Sequence, residues 1–225
     1  MEEKKYILRS LSDIIKVGAT LKKNWFRGHS KTWNSLQPNL YRIPDNSLES
    51  LLQQSIPGKE IESANYFRRR SLPILKDVPE DKDYITWLMH MQHFGFPTRL
   101  LDWSENILIA AFFSVVHDQL EDGELWIMYP IELNKKSDLE GICNHRSLHV
   151  KNLSIFPFEG TSVSLDSDLS DFVNAPIAFI PQYLFPRLIA QSSTFTIHKG
   201  SVEGKTETIQ QALEGSSNLV RYIIP

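Results

Sequence analysis

Three groupings of residues in this 225-residue sequence could carry chemistry. The first is Cys143-x-His145-x-x-x-His149. Two histidines four positions apart share one face of a helix, and a nearby thiolate would add a third zinc ligand. No Glu falls between the histidines as in the zinc-protease pattern and Cys143 is the single cysteine, so no metal is expected. His90 and His93, three apart, read as ordinary hydrogen-bonded histidines of a helix. The second grouping, Arg68-Arg69-Arg70, could touch phosphates, but three consecutive helix positions point in different directions and read as a solvated face. The Gly-x-Gly-x-x-Gly and phosphate-loop patterns and the Gly-x-Ser-x-Gly elbow are all absent, which removes the common nucleotide cradles and the anchor of a hydrolase triad.

The third grouping is the informative one. Arg27-Gly28, His93, Thr98-Arg99, Asp102, and Arg187 with Gln191 are polar residues set in apolar or Pro/Gly-containing stretches. Burying an arginine or aspartate is costly unless it is paired, so such charges call for a specific partner or a ligand. Two readings follow. Either these groups line a binding cleft, or Arg99 and Asp102 form a structural salt bridge, with Asp102 also favoured near the start of a core helix. His93 as a general base of a nucleic-acid or nucleotide hydrolase is a third use, supported only by its presence.

The elements that must position these groups are legible in the periodicity. Ser10 and Asp13 predict a capped helix over about 11–23, which delivers the chain to a short strand at Trp25-Phe26-Arg27-Gly28-His29. Helices are predicted over 58–75 and 82–94, the second closed by Gly95. Pro97 keeps the start of Phe96–Trp103 extended, and Ser104 is the expected cap of an all-round apolar core helix over 105–117. Strands are expected at 125–129, 177–181, 194–198 and 219–224, with a helix over 206–213. Residues 135–175 lack periodicity and read as irregular. Short strands mixed with helices favour an α+β fold of one domain over a doubly wound parallel sheet.

Composition narrows the function. With 41% hydrophobic and 23% charged residues the chain can bury a core. Its 24 basic against 27 acidic residues give a net charge of −3, which provides no overall field for gripping polyanions non-specifically. A lone cysteine fits a reducing, cytoplasmic setting, and Met1 to Tyr6 lacks the apolar stretch of a secretory signal. The longest apolar-rich run, Ile107–Val116, is half the roughly 20 residues of a membrane-spanning helix, so no membrane insertion is expected.

Four segments, in order, carry a resemblance. They are Trp25-Phe26-Arg27-Gly28-His29, Leu36-Gln37-Pro38-Asn39-Leu40-Tyr41-Arg42, the block from His93 to Trp103 (His-Phe-Gly-Phe-Pro-Thr-Arg-Leu-Leu-Asp-Trp), and Arg187 to Thr196. Together with the closing Ile223-Ile224-Pro225 they resemble the FRG domain family, over about residues 24–225, with 1–23 as the lead-in of the same domain. That family occurs in bacteria and phages, often near defence or toxin loci, and is suggested to be a divergent relative of ADP-ribosyltransferases. The resemblance implies small split mixed sheets flanked by helices around a cleft for NAD, with a protein or nucleic-acid acceptor of ADP-ribose. It implies Arg27, Asp102 and Gln191 as catalytic residues. Arg27, Gly28, His29, His93, Thr98, Arg99 and Arg187 would bind the nucleotide, with Gly28 letting its backbone approach closely. Gln191 and the following Ser192-Ser193-Thr194 stand where relatives carry a Glu, and Ser193 replaces a common Gly. That departure raises the weight of a non-catalytic interaction or sensor module using the same cleft.

Overall fold

The elements follow from local chemistry, as seen in a computed structural model that describes residues 6–33, 35–42, 56–117, 120–154, 175–199 and 207–225. After strand β1 (Tyr6–Ile7), the Ser10 side chain accepts from the Asp13 backbone N–H at 3.2 Å and starts helix α1 (Leu11–Thr20). Strand β2 (Trp25–His29) leads to a 3-10 turn at Asn39–Tyr41. Helices α2 (Ile56–Ser71) and α3 (Tyr84–His93) come next; α3 ends at Phe94, and Gly95 takes the left-handed φ of 82° that glycine adopts without strain.

Strand β3 (Leu100–Ser104) then enters helix α4 (Ile107–Val115). Its cap is Asn106, whose side chain accepts from the Leu108 N–H at 2.9 Å. Ser104, the expected cap, is instead the last strand residue, its hydroxyl donating to the Gln191 carbonyl at 2.7 Å. The chain continues through β4 (Gly123–Met128), α5 (Pro130–Lys135), β5 (Cys143–Asn144), α6 (Leu148–Ser154), β6 (Ile177–Ile180), α7 (Pro186–Ala190), β7 (Ser193–Ile197), α8 (Ile209–Ala212) and β8 (Leu219–Ile224). The stretch read as irregular thus contains β5 and α6, elements too short to show periodicity; residues 155–174 of it lie outside the described residues. The predicted helix over 206–213 is the shorter α8, started by a Thr208–Gln211 capping box.

The eight strands among the described residues join one mixed sheet in the order β1-β8-β4-β2-β3-β7-β6-β5, parallel only at its two outer pairs. The expected split into separate small sheets is replaced by a continuous sheet, but its centre is nearly divided. β2 pairs with β4 over five register positions and β3 with β7 over five, whereas β2 and β3 meet at the single pair Phe26↔Ser104. The two strands part beyond that pair.

Helices cover both halves. Phe26, Leu125 and Ile127 pack against Ile107, Ala110 and Ala111 of α4 with Ile14 of α1. Trp87, Leu88, Met89 and Met91 of α3 pack on Leu100, Ile177, Phe179 and Phe195. A third cluster joins Trp25, Leu101, Trp103, Trp126 and Met128 to Ile209 and Ala212 of α8. Helix α4 is half buried, not buried all round: Leu108, Phe112 and Val115 are exposed.

What seats α4 so close to the sheet is the absence of side chains beneath it. A Cβ at Gly28 would lie 1.9 Å from the Ala110 carbonyl oxygen, and one at Gly123 would lie 2.1 Å from that of Ser114. The Ser114 hydroxyl fastens the contact by donating to Glu124 O at 2.9 Å. The close approach that Gly28 permits is therefore to α4, whereas the sequence reading assigned it to a nucleotide. Gly28→Ala and Gly123→Ala should each destabilise the protein by about 1–3 kcal/mol or more, because helix or strand must shift. Gly141→Ala, with open space around its Cβ, should stay within about 0.5 kcal/mol of wild type in the same urea titration.

Candidate functional site

Where β2 and β3 part, a cleft of about 280 Å³ opens, lined by Arg27, Gly28 and His29 of β2 and Asp102 and Trp103 of β3. Helix α4 contributes Ile109, Ala110 and Phe113, α3 contributes Gln92 and His93, and α7 brings Arg187 with the adjoining Gln191. Of the nine residues singled out in the sequence, the fold brings seven to the cleft or its wall and leaves Thr98 and Arg99 outside it.

Arg27 is held by a chain of fixed polarity. Its Nε donates to His29 Nε2 at 2.8 Å, and a guanidinium only donates, so Nε2 carries a lone pair and the imidazole proton sits on Nδ1. That proton faces Glu124 Oε2 at 3.3 Å. Glu124 is fully buried and directly opposite His29 in the β2–β4 register. Its Oε2 also accepts from the Trp126 indole at 3.1 Å and the Trp33 backbone at 3.2 Å, while Oε1 accepts from Arg221 Nη1 at 3.1 Å. Four donors around one carboxylate make the burial of its charge tolerable.

Arg27 Nη1 reaches across the parting strands to the Asp102 carbonyl at 2.6 Å, and Nη2 has no protein partner among the described residues. Burial pushes the guanidinium down to about 10, opposed by the Asp102 carboxylate and assisted by the positive charge of Arg42, so it stays cationic at neutral pH. The Asp102 carboxylate is exposed on the cleft and accepts from the Gln92 amide at 2.6 Å. Among the described residues it is the one acidic side chain in the lining. On the far wall, Arg187 Nε donates to Gln191 Oε1 at 3.3 Å, and His93 stacks on Phe185 at 4.2 Å. Ser192, not Ser193, takes the turn conformation after Gln191, with a left-handed φ of 45°; Ser193 begins β7.

Arg99 serves the core. Its Nε donates to both carboxylate oxygens of Glu60 at 2.9 Å, and Nη2 donates to Oε2, with both side chains almost wholly buried. The salt bridge that the sequence suggested between Arg99 and Asp102 is absent because these residues belong to different surroundings. Thr98, also buried, donates to Gln92 Oε1 and accepts from the Leu100 N–H at 3.2 Å. It thereby orients the glutamine that holds Asp102. Sequence reasoning missed Glu124, Gln92 and Glu60. Glu124 was findable, since a carboxylate leading the apolar run Leu125-Trp126-Ile127-Met128 needs buried donors; Gln92, in mid-helix, and Glu60 carry no such signal.

Glu60→Ala removes the carboxylate that answers the buried Arg99 cation, and should lower stability by about 3–5 kcal/mol in urea unfolding. The pH dependence has a definite sign. Burial holds His29 down at about 4 and His198 down at about 3. Both fall below the ordinary imidazole value of about 6.5, so the unfolded chain binds protons first as the pH falls. Stability is complete above about pH 6.5 and drains toward pH 4, His29 contributing up to about 3 kcal/mol of the loss. Urea midpoints measured from pH 7 to pH 4.5 should fall, and fall less steeply in His29→Gln.

Among the described residues no helix is long and apolar enough to cross a membrane, and no three His, Cys, Asp or Glu side chains gather as a metal set. Comparison with curated proteins finds no match, and comparison with solved structures finds none. Residues 22–123 match the FRG domain family. This stretch runs from the approach to β2 through the start of β4, so the match supports the FRG family for the part of the chain that holds Arg27, Asp102 and the helix packed over them.

Proposed function

We propose that the cleft binds a nucleotide of the NAD type, with Arg27 holding a phosphate group. The observation that carries this reading is the state of Arg27: its Nε and Nη1 are fixed by His29 and the Asp102 carbonyl, and its Nη2 is left for a ligand. A cation already positioned by two bonds loses little freedom when it grips an anion, and the planar fork matches phosphate oxygens. Aromatic Trp33 and Phe113 supply surface for a ring system. The cleft lies near the lower end of the roughly 300–1,000 Å³ range of small-molecule sites, so a dinucleotide would place one portion inside and the remainder along the mouth.

Within this reading, transfer of ADP-ribose to a macromolecular acceptor depends on Asp102. Loss of nicotinamide develops positive charge at the ribose, which a nearby carboxylate stabilises, and Asp102 is the acidic group that faces the cleft. A second reading, a non-catalytic sensor of the same ligand, is favoured by Gln191 standing in the wall as a neutral amide tied to Arg187.

Calorimetric titration with NAD and ADP-ribose tests the site. Arg27→Ala should weaken binding by about a hundredfold or more, while the lost hydrogen bonds lower stability by only about 1–2 kcal/mol. Unchanged binding in Arg27→Ala would end the nucleotide reading. Nicotinamide release that vanishes in Asp102→Asn with binding retained would identify transfer or hydrolysis; binding without release in wild type would identify the sensor.

A further inference from the structure

Arg42 follows the Asn39–Tyr41 turn and sets a second guanidinium against Trp33, a residue of the cleft lining. Its Cζ stands 5.0 Å from the centre of the Trp33 ring, and Lys31 Nζ stands 5.0 Å from the same ring. Trp33 lines the cleft, and its backbone N–H is tied to Glu124, the carboxylate that also fixes His29 and so Arg27. Trp33 therefore connects the two groups, its backbone N–H to the Glu124 network and its ring to Lys31 and Arg42.

The Arg42 cation is incompletely answered. Among the described residues, Nε and Nη2 of its guanidinium are buried without a hydrogen-bond partner. Contact with an aromatic face offsets part of that desolvation but satisfies neither donor. Glu124 is fully engaged by its four donors, and Asp102 gives its Oδ2 to Gln92. Arg42 also repels Arg27, adding to the downward pull on that guanidinium. Arg42 and Lys31 against the Trp33 ring, with Arg27 near enough to feel the Arg42 charge and the neighbouring carboxylates engaged elsewhere, match an anion that carries charge at more than one centre.

We propose that Arg42 and Lys31 form a second anion subsite beside Arg27, so that the preferred occupant carries a diphosphate and not a single phosphate. The inference rests on the reading of the cleft as a nucleotide site and adds to it the residues that meet the second phosphate. One phosphoryl group meets Arg27 and the next meets Arg42 and Lys31 next to Trp33.

The test is calorimetric titration of the full chain at one ionic strength with inorganic phosphate, pyrophosphate, AMP and ADP. Wild type should bind pyrophosphate over phosphate, and ADP over AMP, by about tenfold or more, the share of one charge-assisted contact. Arg42→Gln should erase both preferences while leaving phosphate and AMP within about twofold of wild type, and Arg42→Lys should keep part of them. Equal binding of ADP and AMP by wild type, or a preference that survives in Arg42→Gln, overturns the proposal. If Arg42→Gln does not fold, Lys31→Ala decides: it must reduce the preference, and an unchanged preference overturns the proposal. ADP and AMP bound equally, and both lost in Arg27→Ala, would remove the subsite and leave the nucleotide reading intact. Pyrophosphate bound through Arg42, with ADP and NAD bound no better than the bare anion, would remove the nucleotide reading instead.

Discussion

The burial of one carboxylate, Glu124, governs the centre of this protein. A charge with no solvent access must be surrounded by donors, and the fold collects them from β2, β4, β8 and the segment after β2. Meeting that demand fixes the tautomer of His29, the tautomer fixes the direction of the Arg27 fork, and the fork bridges the two strands that part to form the cleft. The site is thus built outward from an internal electrostatic requirement, and the ligand-facing cation is its last member.

A similar logic operates on the other wall with neutral groups. Buried Thr98 orients Gln92, and Gln92 holds the exposed Asp102. Asp102 therefore faces the cleft through contacts that place no second carboxylate beside it, so its charge is available to whatever enters. Arg99, three positions earlier in the sequence, is committed to Glu60 and stabilises the packing of α2 against the start of β3. Neighbours in one short motif thus divide between scaffold and site: Arg99 precedes β3 and turns to Glu60, whereas Asp102 lies within β3 and lines the cleft.

Much of this was legible before the fold. The Ser10 cap, the Trp25–His29 strand, the helix closed by Gly95 and the strands at 177–180, 193–197 and 219–224 follow from local signals. So did the convergence of Arg27, Asp102, His93, Arg187 and Gln191, since polar residues in apolar stretches have few places to go. The pairing of Arg99 was not legible: Glu60 lies 39 positions away on a helix of mixed charge, and only tertiary contact selects it. Nor was the exposed side of α4, where Leu108 and Phe112 break the rule that an all-apolar helix is buried. The purpose of Gly28 was visible only as a need for space; which backbone fills that space depends on the register of a helix some eighty residues further on.

That helix sits on the sheet through main-chain contact at Gly28 and at Gly123, with no side chain as a spacer. Its height above the strands is consequently set by van der Waals radii, a quantity that sequence drift along α4 leaves alone. Exchanges at Ile109 or Phe113 alter the texture and polarity of the wall but leave the depth of the cavity calibrated by the two glycines, so ligand preference and cavity depth are free to evolve on separate residues.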